Sequence, residues 1–328
     1  MASEADDSPS TSSRQQAVVL VGDVGGTNAR LSTWRTDLSS AAASELFAKT
    51  YPTSLYSTFE AVMEAFLAEP AVQENPPAAA ALAIAGAVDN NRCEMTNVSW
   101  LVDGAELTAT HGFQVALLND FEAVGYGIPV LQPEDLITLN DVPVHLKAPK
   151  VVMGPGTGLG AAQLMWDTGL EAYKVWPGEG SHATFAPRGW KQKALARHVT
   201  TKFGHCEIEQ VACGPGLELI YEFLQTDEIA NRPHLLSLPP QPVSARAGGR
   251  AGAATCCAAS GVYIAGGITP KLLPRIKEGS LLEGFLMRNG RQPFHRLLME
   301  TPLFVITNGK VGQMGAREVA KRLLPPAA

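Results

Sequence analysis

The chain has 328 residues, of which 45% are hydrophobic and 18% are charged, and its formal net charge at pH 7 is −6. This length predicts about two domains of roughly 150 residues each, which is enough chain for a sizeable core. The acidic balance argues against a nucleic-acid binder, which normally has a basic face. No apolar run approaches the roughly 18 residues of a membrane span. We therefore expect neither a nucleic acid nor a membrane as partner.

The first segment, residues 1–16, is polar and serine-rich and carries three acidic residues. It has neither the apolar stretch of a secretory signal nor the acid-poor composition of a transit peptide, and we interpret it as a disordered tail. The cysteines lack metal-site spacing, apart from one adjacent pair, and this favours a reduced, cytoplasmic compartment. These cysteines are Cys93, Cys206, Cys213, Cys256 and Cys257.

The first motif is VGDVGGTNAR, residues 21–30, which lies between two strand-like apolar runs. A glycine pair in this position is typical of a tight hairpin turn, because glycine adopts positive φ without steric cost. The same residues also suit a phosphate loop, in which bared backbone N–H groups bind the anion and Asp23 binds its metal ion. The candidate phosphate-binding residues are Gly25, Gly26, Thr27 and Asn28. The segment by itself leaves both interpretations open.

Alternating strands and helices follow, and this pattern predicts an α/β protein. We predict helices over residues 57–68, 190–203 and 313–324 and strands over residues 79–85, 115–118, 262–265 and 303–306. The segment 150–166 repeats the order of segment 17–34, with an apolar strand, a glycine turn containing Thr and a second strand ending in Trp. We therefore expect two lobes that each begin with a glycine hairpin, with a cleft between them.

The second hairpin also matches a dinucleotide-binding fingerprint. Gly156, Gly158 and Ala161 fit G-x-G-x-x-[GA], and Glu179 follows about 20 residues later, which would indicate an oxidoreductase. That fingerprint must open a helix, whereas the surrounding residues predict a hairpin. Several glycine turns that each follow a strand are better explained by a phosphate-bearing ligand contacted from several sides. These turns are Gly25-Gly26, Gly156-Thr157-Gly158 and Gly266-Gly267.

The segment LLNDFEA, residues 117–123, places Asp120 where a strand ends and a helix begins. An aspartate there is often simply a helix N-cap. The same position also suits catalysis, because the helix N-terminus keeps the carboxylate ionised and the strand end directs it toward a ligand site. Such a carboxylate can accept a proton from an alcohol that attacks a phosphoryl group.

Three further polar residues, Glu179, His182 and Glu209, stand in or beside glycine-containing loops. Each can be a solvated loop residue. Glu-x-x-His can also be a metal pair, but that spacing normally lies on a helix, and here it follows Pro177 and Gly178. Polar acceptors in flexible loops can instead hydrogen-bond the hydroxyls of a sugar, and leaving them unpaired with the wrong ligand gives specificity.

Taken together, the motifs resemble the bacterial-type glucokinases of the actin–hexokinase–Hsp70 ATPase superfamily. The motifs are LVGDVGGTNARL, MTNVSW, LLNDFEAV, GPGTGLGAAQL, PGEGSHATFAP, CGPGLELIY and VYIAGGITP. The resemblance implies an α/β fold of two ribonuclease-H-like lobes, with mixed sheets flanked by helices and a ligand cleft between them. It places a small lobe at residues 17–131, completed by residues 309–328, and a large lobe at residues 132–308.

The resemblance also implies ATP-dependent phosphorylation of the 6-hydroxyl of D-glucose by a homodimer that uses Mg²⁺. Asp120 would be the general base and would bind the sugar together with Asn119, Glu179, His182 and Glu209. The nucleotide would be bound by Gly25, Gly26, Thr27, Asn28, Gly156, Thr157, Gly158, Gly266 and Gly267. Asp23 would reach the magnesium ion through water. Related sugar kinases carry a cysteine-rich zinc motif whose spacing is missing here, so we expect no structural zinc.

The chain departs from the family pattern in residues 218–260, which are shorter than usual and end in an Ala/Gly/Arg-rich tract. A missing helix there would remove packing from the nucleotide-binding lobe. The alternative function is therefore a catalytically impaired sugar-binding or regulatory protein of the same fold. A coupled assay with glucose and Mg-ATP distinguishes the two.

Overall fold

A computed structural model describes residues 16–95, 97–226, 258–286 and 293–324. The chain divides into two units: unit 1 comprises Met1–Asp120 and Gln313–Ala328, and unit 2 comprises Phe121–Gly312. The chain passes from unit 1 to unit 2 after Asp120 and returns to unit 1 at Gln313. None of the described helices is both long enough and apolar enough to cross a membrane.

Unit 1 contains a five-stranded sheet and a small three-stranded sheet. Its strands are β1 (Gln16–Val24), β2 (Asn28–Asp37), β3 (Ala43–Pro52), β4 (Ala79–Ile84), β5 (Val88–Asp89), β6 (Arg92–Glu94), β7 (Leu101–Asp103) and β8 (Gln114–Asn119). Its helices are α1 (Phe59–Leu67), α2 (Pro70–Glu74) and α3 (Gly104–His111). The large sheet has the order β3-β2-β1-β4-β8, in which β1 to β3 are antiparallel and β4 and β8 run parallel to β1.

The core of unit 1 lies between this sheet and α1. Every residue of β4 is buried, as expected for a central strand with both faces covered. The side chain of Thr58 caps α1 by accepting from the backbone N–H of Ala61. The buried face of the helix follows helical spacing and consists of Phe59, Val62, Met63 and Phe66.

Unit 2 contains a six-stranded sheet with a related order. Its strands are β9 (Leu136–Asn140), β10 (Lys150–Pro155), β11 (Leu159–Asp167), β12 (Ala172–Gly178), β13 (Val262–Ile264) and β14 (Leu303–Ile306). Helix α4 (Asp120–Gly127) leads into the unit, and α5 (Gly189–Phe203), α6 (Glu209–Ala212), α7 (Gly214–Leu224), α8 (Leu273–Lys277), α9 (Ser280–Leu286) and α10 (Pro293–Met299) follow. The last helix, α11 (Val311–Arg322), begins at the end of unit 2 and belongs to unit 1 from Gln313 onward.

The two large sheets share one topology. The order β12-β11-β10-β13-β14 in unit 2 repeats β3-β2-β1-β4-β8 in unit 1, with three antiparallel strands followed by two parallel ones. Strand β9 adds an antiparallel edge next to β14. The predicted echo between the glycine hairpins is therefore confirmed as β1–β2 and β10–β11, and so is the α/β fold class with mixed sheets.

Some local predictions need correction. Pro177 and Gly178 favour a loop over residues 176–182, yet residues 176–178 complete β12, and Gln16, which was assigned to the tail, already belongs to β1. Strand β12 lies at the sheet edge, and its Trp176 is 60% exposed, so the residues there carry little of the apolar pattern that marks a strand. The rest of the interpreted tail and residues 227–257 of the atypical segment lie outside the described residues.

Candidate active site

The first glycine loop connects β1 to β2 and is closed by its own backbone. The N–H of Gly25 donates to the carbonyl of Asn28 at 2.9 Å. Thr53 holds the loop from the other side, because its N–H donates to the Thr27 carbonyl at 3.0 Å and its hydroxyl donates to the Gly26 carbonyl at 2.7 Å. The loop is thus a turn that is held by hydrogen bonds of the chain itself.

The positive φ that a hairpin turn would explain for this glycine pair is not found. Neither Gly25 nor Gly26 has φ in the left-handed region. A Cβ atom on Gly26 would instead lie 2.5 Å from the Cβ of Asn97, so a close approach of the chain excludes any side chain there. A Cβ added to Gly25 would make only an ordinary van der Waals contact, 3.6 Å from the Asn28 carbonyl oxygen.

Asp23 lies beside this loop on β1, opposite Arg30 on β2. Its Oδ2 is 3.1 Å from Nη1 of Arg30, and the two side chains are 44% and 52% exposed. A half-exposed carboxylate suits Mg²⁺, which keeps several waters and binds proteins through one or two carboxylates. The residue therefore fits the expected role in holding magnesium through water, with Arg30 as its counter-ion.

Asn119 and Asp120 stand at the junction between β8 and α4. Asn119 ends the strand, and its Nδ2 donates to the Gly86 carbonyl at 3.0 Å. Asp120 is the first residue of α4 and is exposed, so the predicted change from strand to helix at this residue is confirmed. The positive end of the helix dipole favours an ionised carboxylate at this position.

The residue after Asp120 is anchored in a way that the sequence analysis missed. Gly154 on β10 and Gly160 on β11 pair directly across the hairpin. A Cβ on Gly160 would lie 1.9 Å from Cδ2 of Phe121, and one on Gly154 would lie 2.6 Å from its Cζ. The two glycines thus leave a flat area of backbone against which the Phe121 ring packs at the start of α4.

The second glycine loop, residues 156–158, connects β10 to β11 in an antiparallel hairpin. The N–H of Gly156 donates to the Gly158 carbonyl at 2.8 Å. A carboxylate oxygen of Glu209, Oε2, accepts from the N–H of Leu159 at 2.8 Å, and a Cβ on Gly158 would lie 2.6 Å from this oxygen. The loop opens a strand and not a helix, so the dinucleotide fingerprint is excluded.

Two more glycine segments of unit 2 contact this loop. The N–H of Gly214 donates to the Gly156 carbonyl at 2.9 Å. Gly266 has φ of +86°, and a Cβ there would lie 2.4 Å from the Pro155 carbonyl oxygen, so glycine is needed for both reasons. Gly267 follows with no neighbour within 4 Å of an added Cβ. The structure therefore gathers predicted nucleotide residues of unit 2 around one loop.

A short 3-10 turn, Gly180–His182, follows β12; Glu179 precedes it and His182 is its last residue. Oε2 of Glu179 lies 3.6 Å from Nε2 of His182, and the two side chains are 75% and 50% exposed. The other imidazole nitrogen, Nδ1, lies 2.9 Å from Oε2 of Glu207, a residue that the sequence analysis did not single out. The hydrogen bond to Glu207 is the main cause that raises the pKa of His182, and the Glu209, Glu207 and Glu179 carboxylates add to it.

A surface cavity of about 460 Å³ adjoins this group of residues. His182, His205 and Glu207 contribute to its lining, with Phe185 and Pro187 on its apolar side. Of the predicted sugar-binding residues, only His182 contributes to this open depression.

A family model described as Glucokinase matches the chain over residues 20–254 and 243–323. A glucokinase of Synechocystis sp. strain PCC 6803 is 33% identical over 348 aligned residues, which cover 90% of this chain and 96% of that protein. The family match extends over nearly the whole described chain and includes every candidate site residue named above.

Solved structures share the fold. A glucokinase from an Antarctic psychrotroph has a TM-score of 0.79 at 24% identity, covering 94% of this chain and 100% of its own. A ROK family glucokinase from Streptomyces griseus, solved in complex with glucose and AMPPNP, has a TM-score of 0.57 at 18% identity, covering 93% and 99%.

Proposed function

The chain belongs to the glucokinase family, and from that premise we propose that it transfers the terminal phosphoryl group of ATP to the 6-hydroxyl of D-glucose, with Asp120 as the general base. The observation that carries the proposal is the match to a curated glucokinase over 96% of that protein's length. The exposed carboxylate at the β8–α4 junction supports the role given to Asp120.

Phosphoryl transfer needs little covalent help from the protein, because its transition state is loose and spreads charge over the phosphoryl oxygens. Positioning and charge stabilisation therefore dominate. Asp120 would accept the proton of the attacking hydroxyl as the new P–O bond forms. A base of low pKa suffices, because that proton leaves late.

The sugar hydroxyls would be bound by Asn119 and Asp120 from one chain segment and by Glu179, His182 and Glu209 from another. In this proposal Glu209 has two tasks, since its Oε2 accepts from Leu159 in the second glycine loop while Oε1 remains for the sugar. A sugar lacking one of the recognised hydroxyls would leave a polar group unpaired, and this would lower its rate of phosphorylation.

The nucleotide phosphates would be bound by backbone N–H groups of residues 25–28 and 156–158, each a closed turn after a strand. Gly266 and Gly267 would lie by the adenosine. Asp23 would hold Mg²⁺ through water, and the ion, when bound, supplies positive charge that offsets the charge on the phosphates. The backbone N–H groups of the two loops would hold the phosphates in position before the transfer.

A coupled assay of glucose 6-phosphate formation with glucose and Mg-ATP tests the proposal. Asp120→Asn should abolish turnover, because the amide cannot accept the proton, yet it should keep glucose affinity within about tenfold because it retains most hydrogen bonds. Turnover at the wild-type rate in that variant would refute the role of Asp120. An inactive wild-type protein that still binds glucose would instead support the regulatory alternative.

That alternative depends on residues 218–260, of which residues 227–257 lie outside the described part of the chain. The first part of the family match runs through residue 254, so the segment does not separate the chain from the family. We also propose a homodimer in the cytoplasm, where ATP is available, as the family resemblance implies. Sedimentation of the purified protein measures whether it is a dimer.

A further inference from the structure

The side chain of Glu207 contacts two imidazoles. Its Oε2 lies 2.9 Å from Nδ1 of His182, and its Oε1 lies 3.3 Å from Nε2 of His205. The Glu207 side chain is only 25% exposed, whereas the His182 and His205 side chains are 50% and 59% exposed. The carboxylate is therefore the least exposed member of this group, and its two oxygens can orient both rings.

Backbone contacts hold Glu207 against the segment that follows His182. The contacts are Ile208 N to the Ala183 carbonyl at 3.0 Å, a β-bridge between Thr184 and Glu207, and Phe185 N to the Cys206 carbonyl at 2.8 Å. The N–H of Glu207 itself donates to Oε1 of Gln210 at 2.8 Å. The carboxylate thus starts from a backbone that is fixed relative to His182.

We propose that Glu207 is a positioning residue for glucose binding: by accepting the Nδ1–H of His182, it orients the imidazole so that Nε2 is left for a sugar hydroxyl. This inference rests on the proposed function, since it takes His182 as a sugar ligand. A carboxylate on one imidazole nitrogen fixes the ring orientation and determines which nitrogen carries the proton. The same logic operates when a carboxylate orients a histidine that binds a metal or acts as a base.

Charge makes the arrangement sensitive to pH. The titratable groups that face His182 are Glu207 at 2.9 Å, Glu179 at 3.6 Å and Glu209, with His205 sharing the Glu207 carboxylate. The carboxylates raise the pKa of His182 above its ordinary value, with the Glu207 hydrogen bond as the largest cause and burial acting in the opposite direction. The imidazolium therefore persists to higher pH, where its Nε2–H can donate to a sugar oxygen.

Two substitutions separate the hydrogen bond from the charge. Glu207→Ala removes both and should raise KM for glucose about two- to tenfold, the range expected for one hydrogen bond. In that variant, kcat and KM for ATP should stay within about twofold, because the hydrogen bond orients only a sugar ligand. Glu207→Gln keeps an acceptor for Nδ1–H but removes the negative charge. While His182 is protonated, KM for glucose in this variant should stay near the wild-type value. Because the imidazolium then loses its proton at a lower pH, the rise of KM with pH should begin at a lower pH than in the wild type.

The matched control is Glu222→Gln. Glu222 is also a carboxylate of unit 2 in an ion pair, with Lys202, but it lies on the exposed surface of α7. Neutralising it should leave KM for glucose and its pH profile unchanged. A shift that appears equally in both Gln variants would reflect only the change in net charge and would overturn the proposal.

A second measurement does not depend on activity. In the ligand-free protein, NMR titration of the His182 imidazole, assigned by its loss in His182→Gln, should show a lower pKa in Glu207→Gln than in the wild type. An unchanged pKa, or a KM for glucose within twofold of wild type in Glu207→Ala, overturns the positioning role. A wild-type protein that bound glucose without phosphorylating it would overturn the proposed function alone, whereas one that bound no glucose would overturn the positioning role as well, even where the titration shifts.

Discussion

The packing of Phe121 on Gly154 and Gly160 predicts a large effect from adding one methyl group. In Gly160→Ala, the new Cβ would lie 1.9 Å from Cδ2 and 2.1 Å from Cε2 of Phe121. Carbon atoms normally approach to about 3.5–4.0 Å, so the ring must move by more than an ångström. Gly154 lies under the far edge of the ring, since a Cβ added to Gly154 would be 2.6 Å from Cζ of Phe121. If the ring moves toward Gly154, it therefore meets the backbone of β10.

The expected cost is about 1–3 kcal/mol of unfolding free energy, which is typical of overpacking. Without the ring the sign should change, because alanine in a strand is favoured over glycine by roughly 0.5–1 kcal/mol. Gly160→Ala should therefore be destabilising in the wild type and neutral or stabilising in a Phe121→Ala background. The resulting coupling energy is about 1–4 kcal/mol, above the roughly 0.5 kcal/mol limit of additivity.

Urea unfolding of the wild type, both single variants and the double variant measures this coupling directly. Gly178→Ala is the matched control, since Gly178 lies in the adjacent strand β12 and an added Cβ meets nothing within 4 Å. If the two single effects simply add, the ring does not pack on Gly160 as described, and the reasoning fails. Because Phe121 follows Asp120, Gly160→Ala should also lower kcat more than it raises KM for ATP.

Two further predictions concern other parts of the molecule. Gly26→Ala should raise KM for ATP at least severalfold, because its Cβ would meet Asn97 at 2.5 Å and displace the first glycine loop; the double variant with Asn97→Gly should recover part of the loss in the same coupled assay. Burial lowers the pKa of Lys150 from 10.5 to about 8, so between these values the unfolded chain binds more protons than the folded one, and stability should rise with pH. Lys150→Met should lose that rise when urea unfolding is followed from pH 7 to pH 10, and an equal rise in the variant would show that another group causes it.

The sequence was most informative where a local pattern coincides with a structural boundary. The apolar run ending in Asn119, followed at once by Asp120 and a helical pattern, is enough to place the strand-to-helix junction. The similarity between segments 17–34 and 150–166 likewise indicates the repeated topology of the two large sheets. Both signals are contained within a few residues or in a direct comparison of two stretches.

The sequence was least informative where the reason for a residue lies in a distant segment. Gly160 is a glycine because of the ring of Phe121, and Gly26 because of Asn97, and neither pair is visible from spacing. Glu207 stands 25 positions after His182, in a segment without a motif, so only the fold brings its carboxylate to the imidazole. Edge strand β3 was missed because most of its side chains are exposed or only partly buried.

The return of the chain to unit 1 at Gln313 has a consequence for biosynthesis. In α11, the buried side chain of Arg317 donates to the Ala41 carbonyl at 3.1 Å, and its guanidinium lies 5.8 Å from the centre of the Trp34 ring. Translation delivers these contacts only after all of unit 2 has left the ribosome. The half of the molecule that is made first is therefore the half that is completed last, and its early strands lack these contacts until the C-terminal helix has been synthesised.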